Sequence, residues 1–80
     1  MDIEWEDGFS IKVKIDDDNT VVVSANRESL LSLARQLAAM ADEEIGNHIH
    51  YDQYNSLEEG SSQMIIEKIE YPPILSHVYD

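Results

Sequence analysis

The period of the apolar pattern changes along the chain. From Phe9 to Ile15 apolar and polar residues alternate without a break, with Phe9, Ile11, Val13 and Ile15 on one side. A period of two marks a half-buried strand. Ile3 and Trp5 alternate with Glu4 and Glu6 in the same way. Between the two runs, Asp7-Gly8 suits a type I′ turn, whose central residues need positive φ. Asp16-Asp17-Asp18-Asn19 is a turn cluster, and Thr20-Val21-Val22-Val23-Ser24 follows as a β-branched strand. Residues 1–25 thus predict a three-stranded meander.

The period then lengthens. Leu30, Leu33, Ala34, Leu37, Ala38 and Ala41 recur at helical spacing and predict one amphipathic helix that buries this stripe. Ser29, Ser32, Gln36, Ala39 and Glu43 fall on the opposite side. Asn26 is placed to cap the first turn, where Glu28 favours the helix dipole. Gly46 is a candidate left-handed stop. Beyond it, His48-Ile49-His50-Tyr51-Asp52 alternates as a short strand with Ile49 and Tyr51 inward. Tyr54 to Ser62 reads as a loop, and Gln63 to Ile69 as a last strand ended by Tyr71-Pro72-Pro73. The sum is an α+β fold of order β-β-β-α-β-β. One helix covers one face of a mainly antiparallel sheet in a two-layer sandwich. The exposed face would carry Ser10, Lys12, Lys14, Val22 and Ser24.

Composition narrows the class. Eighty residues make a single domain, 1–80, with a thin core and little room for an enclosed catalytic pocket. No cysteine excludes disulfides, thiolate zinc sites and a cysteine nucleophile. Seventeen acids against five Lys and Arg give a net charge of −12. That charge repels phosphate backbones and anionic membrane surfaces, and favours a basic protein partner. The acidic start is unlike a signal peptide, and no apolar run approaches bilayer length, so a cytoplasmic location is expected.

Few residues suggest chemistry. On this strand His48, His50 and Asp52 fall on one side, and could hold a metal or relay a proton. Polar residues on an outer face, or hydrogen-bonding groups at an interface, explain the same pattern. Asp16-Asp17-Asp18-Asn19 lacks the ligand spacing of a calcium loop, and its twelfth position is Arg27 rather than Glu. No P-loop, nucleophile elbow or zinc-protease helix motif occurs, so neither a catalytic set nor a cofactor is assigned. Tyr51, Tyr54, Tyr71 and Tyr79 all lie in the second half, beside the acids Asp52, Glu58 and Glu59. That half is the expected contact surface. Asp42-Glu43-Glu44 sits at the helix C-terminus, where acids are mildly unfavourable, and a basic partner would relieve the conflict.

Three ordered blocks carry a resemblance. Val21 to Leu37 resembles a strand leading into a "GL..LA..L" helix, Gly46 to Asp52 resembles "G.H.HLD" with Tyr51 for Leu, and Leu57 to Glu67 resembles "L..GS..LIIE". Together they are similar to immunity protein family 32 of bacterial polymorphic-toxin systems. The resemblance implies a non-enzymatic protein that binds and neutralises a cognate toxin domain. A basic nuclease is the toxin that the charge would suit. The expected partner-binding residues are His48, His50, Asp52, Tyr54, Glu58 and Glu59. Two other readings stand beside this one. One is a small metal-dependent or acid–base enzyme using His48, His50 and Asp52. The other is a module that closes its exposed sheet face as a homodimer or larger homo-oligomer.

Overall fold

The computed structural model describes residues 3–70. The expectations for Tyr71-Pro72-Pro73 and for Tyr79 lie outside them. Two strands, β1 (Ile11–Ile15) and β2 (Val21–Ala25), form an antiparallel hairpin. Helix α1 (Arg27–Ala41) follows at once, and β3 (His48–Tyr51) and β4 (Met64–Glu67) form a second antiparallel pair. The class is α+β, as the pattern predicts. Among the described residues the strands make two two-stranded sheets rather than one five-stranded sheet.

The first expected strand does not form. Residues 3–6 join no ladder, although Gly8 takes the positive φ of 84° expected of its turn. Their main chain is bonded to α1 instead. The Glu6 amide donates to Ser32 Oγ at 2.8 Å, and Gln36 Nε2 donates to the Glu4 carbonyl at 2.8 Å. Arg35 adds an ion pair to Glu6. Side chains on the helix thus supply the partners that a neighbouring strand would have given.

This docking also explains why α1 is rotated from its expected setting. The helix buries Ser29, Ser32, Gln36 and Met40, while Leu30 is 55 % exposed and Leu37 is 37 % exposed. Only Leu33 of the expected stripe packs against the core. The buried hydroxyls all have partners. Ser29 Oγ donates to the Ser10 carbonyl at 2.7 Å, and Ser32 Oγ to the Glu28 carbonyl at 2.8 Å. A satisfied polar group can be buried at little net cost, so the polar flank turns inward against the N-terminal backbone.

The helix ends follow their own chemistry. Asn26 caps the N-terminus, its Oδ1 accepting from the Ser29 amide at 3.0 Å. The C-terminus comes earlier than the glycine suggests. Asp42 is the cap with helical φ, and Gly46, at φ 98°, belongs to the following turn. There the Gly46 amide donates to the Lys68 carbonyl at 2.9 Å. Lys68 Nζ in turn donates to the carbonyls of Ala41 at 2.7 Å and Glu43 at 2.6 Å. The carbonyls of the helix end are therefore met by a lysine of the same chain, at the place where a basic partner was one expected relief for the acids.

One core joins the parts. Ile11 and Val13 from β1, Met40 from α1, Ile49 and Tyr51 from β3, and Leu57 from the loop form its buried centre. Trp5 packs at its rim, stacked on Phe9 with centroids 4.7 Å apart and edge-on to Tyr51 at 6.1 Å. The loop before β4 closes the inner edge of β1. The Glu58 amide donates to the Ile11 carbonyl at 2.9 Å, and the Ser62 amide to the Val13 carbonyl at 2.7 Å.

Candidate functional site

Alternation fixes the β3 face. Ile49 and Tyr51 are buried, so His48 and His50 point outward, as expected of a strand with one core-facing side. The register with β4 places Ile65 opposite His50 and Glu67 opposite His48 on that outer face. Ile65 is among the exposed apolar side chains. His50 Nε2 lies 2.7 Å from Gln63 Oε1, an O···N pairing that holds the ring toward β4.

Asp52 does not continue this face. The strand ends at Tyr51, and the Asp52 carboxylate folds back into the loop. Its Oδ1 accepts from the Tyr54 amide at 2.9 Å and the Asn55 amide at 3.0 Å. Its carbonyl accepts from the amides of Ser56 at 3.0 Å and Leu57 at 2.8 Å. Asn55 Nδ2 donates back to the His50 carbonyl at 2.9 Å. This is an Asx-type turn, in which a short side chain takes over backbone bonding. The remaining carboxylate oxygen, Oδ2, stands 3.8 Å from His50 Nε2.

The tied loop carries Tyr54 at its tip. This residue is 87 % exposed. Beside it lies an open depression of about 260 Å³ lined by Asp52, Gln53, Tyr54, Ser61 and Gln63. Further along, Gly60 takes a φ of 86°, which any other residue adopts only under strain, and its amide donates to Gln53 Oε1 at 3.0 Å. Glu58 and Glu59 precede it, both exposed. The Glu58 carboxylate accepts a 3.3 Å hydrogen bond from Ser10 Oγ.

The structure thus brings His50, Asp52 and Tyr54 together around Gln63. His48 stands one register step away beside Glu67, and Glu58 is tied toward β1. Gln63, Ile65 and Glu67 are neighbours that the sequence pattern did not reveal, because cross-strand register is not encoded within either strand alone. Among the described residues, no group of three or more His, Cys, Asp or Glu side chains is placed to hold a metal ion. No helix among them is long and apolar enough to cross a membrane.

Comparison with known families bears on what this surface serves. The family model described as immunity protein 32 matches residues 20–69, more than half of the chain. The chain belongs to the immunity protein 32 family. No curated protein and no solved structure matches it. Membership gives the chain an immunity role, and with it a toxin partner in general. The matched residues run from the start of β2 through α1, β3 and β4, and so include all six expected contact residues.

Proposed function

We propose that the chain neutralises its toxin by binding a basic toxin domain, with His48, His50, Asp52, Tyr54, Glu58 and Glu59 at the contact. Blocking is by occupancy, without catalysis and without a cofactor, and takes place in the cytoplasm. A nuclease domain has the charge that fits best, because its phosphate-binding cleft is basic.

The observation that carries this reading is Tyr54. An almost fully exposed tyrosine stands on a loop whose backbone is fixed by Asp52 and Asn55. Tyrosine supplies large contact area and a hydroxyl, and is enriched among residues that dominate binding energy. A loop already held in place loses little further entropy on binding. The carboxylates of Asp52, Glu58 and Glu59, in a chain of net charge −12, add attraction for a basic surface.

Calorimetric titration against the product of the gene neighbouring this chain's own tests the reading. Binding is expected to weaken about tenfold or more between about 50 and 300 mM salt, since exposed charges are screened. Tyr54→Ala should cost about 2 kcal/mol of affinity, the scale of an interface hot spot. Glu58→Lys with Glu59→Lys should chiefly slow association. Absence of binding at low salt rejects the toxin-binding proposal. Unchanged affinity in a folded Tyr54→Ala variant moves the contact off this loop.

A further inference from the structure

The hairpin has one closed edge and one open edge. The inner edge of β1 is occupied by the amides of Glu58 and Ser62. Among the described residues, β2 pairs only with β1, and no hydrogen bond reaches its outer side. The ladder phase shows which groups are left. The Asp16 amide donates to the Thr20 carbonyl at 2.9 Å, and the Asn26 amide to the Ser10 carbonyl at 3.1 Å. Even-numbered residues of β2 therefore turn their main chain toward β1. Val21, Val23 and Ala25 turn theirs outward.

The two valines there are also largely uncovered, while Ala25 packs against the core. Val21, Val23 and Ala25 face the same side as Ile15, Val13 and Ile11, which is the core side. Burial fades outward along this face. Ile11 and Val13 are buried, whereas Val23 is 41 % exposed and Val21 58 % exposed. On α1, Leu30 and Leu37 are exposed as well. An apolar edge strand without lysine or proline is a pairing template that soluble proteins normally cover.

We propose that a second copy of this chain covers it, with β2 pairing antiparallel to β2 of the other copy about a two-fold axis at Val23. In this register Val23 meets Val23, and Val21 meets Ala25 in both directions. Every outward main-chain group of β2 then has a partner. The product is a four-stranded sheet of order β1-β2-β2-β1. Directly opposed residues point to the same side, so the half-covered valines of both copies extend one shared apolar layer. The edge is a self-complementary one. No charge occurs from Thr20 to Asn26, while Asp16-Asp17-Asp18 lies at one end and Arg27 at the other. Antiparallel pairing brings the end of β2 that leads into Arg27 close to the Asp16-Asp17-Asp18 turn of the second copy. Arg27 is 78 % exposed, and within its own chain its ion pair to Glu28 is at 4.0 Å. The charges at the two ends thus complement those of another copy of this chain. The edge is separate from the Tyr54 loop, so this dimer does not depend on the toxin contact proposed there.

Sedimentation of the full chain from about 1 to 500 μM tests the edge, a range that reports dissociation constants down to the micromolar scale. A reversible monomer–dimer equilibrium is expected. Val23→Lys places two like charges opposite each other at the axis and should raise the dissociation constant tenfold or more with an unchanged far-UV spectrum. Arg27→Asp should weaken the dimer, and adding Asp18→Arg should restore it. If Val23→Lys does not fold, this charge pair decides, since both positions lie outside the strand. A monomer throughout the range overturns the proposal, as does a dimer indifferent to both sets of variants. A dimer seen only after removal of residues 71–80 would assign the edge to the chain's own tail. A monomer that loses toxin binding on Val23→Lys would assign it to the toxin. Either result overturns self-association.

Discussion

Tyr51 shows how a single side chain ties this small core together. It is fully buried, and its hydroxyl donates to Gln36 Oε1 at 2.8 Å. Gln36 Nε2 donates in turn to the Glu4 carbonyl. One polar relay therefore links β3, α1 and the N-terminal segment across an apolar centre. Tyr51→Phe keeps the ring but leaves Gln36 Oε1 buried without its donor, at an expected cost of about 1–3 kcal/mol in urea unfolding. Burial also pushes the Tyr51 phenol above its ordinary value. The folded state then holds this proton more tightly than the unfolded state. The resulting stability is complete below the ordinary tyrosine range near 10 and is lost as pH rises through the folded value. Wild type should accordingly lose more stability above pH ~10 than Tyr51→Phe does, and parallel alkaline profiles would reject this link. The inward position of Tyr51 is legible from alternation with His48 and His50, a local pattern. The relay is not, since Gln36 and Glu4 lie 15 and 32 positions from their partners in the relay. The site divides the same way. His48 and His50 were placed by period alone, but Asp52 left the strand because its carboxylate bonds the loop backbone.

Among the elements, α1 departs furthest from its pattern. Its stripe of leucines and alanines reads as the core face, yet serines and a glutamine are buried instead. Periodicity reports which flank is apolar, and burial follows it only when apolar surface is the sole thing to satisfy. Here the unpaired backbone of residues 4–6 competes for the helix, and Ser32 and Gln36 answer it. The C-terminal turn carries a second lesson. Two carbonyls there are held by Lys68, which comes from the segment after β4. A cation at this end opposes the partial negative charge of the helix terminus. Lys68→Met keeps the aliphatic stem and removes the ammonium. It should cost about 1 kcal/mol and speed amide exchange in the last turn of α1 and in the Gly46 turn, more than in β1. Uniform exchange changes across the chain would show that Lys68 acts elsewhere.

At the scale of the molecule, one charge has three consequences of different sign. With 17 acids and five Lys and Arg, most carboxylates have no cation to meet. Self-repulsion then works against the compact state and is relieved by salt. Raising salt from about 10 to 300 mM should increase the melting temperature by several degrees, on the scale of about 4–8 °C per kcal/mol for a domain this size. The same addition should strengthen the proposed β2 dimer, because it screens two chains of −12 brought together over an uncharged strand. Its effect on the proposed toxin complex should be the reverse, because the attraction there is between opposite charges. Salt therefore separates the two surfaces without a mutation. If dimer and complex both weaken as salt rises, the Arg27 contacts dominate the edge rather than its valines, and Val23→Lys should then matter less than Arg27→Asp. If the complex strengthens with salt, the acidic residues around Tyr54 do not carry recognition, and apolar side chains such as Ile65 become the place to look.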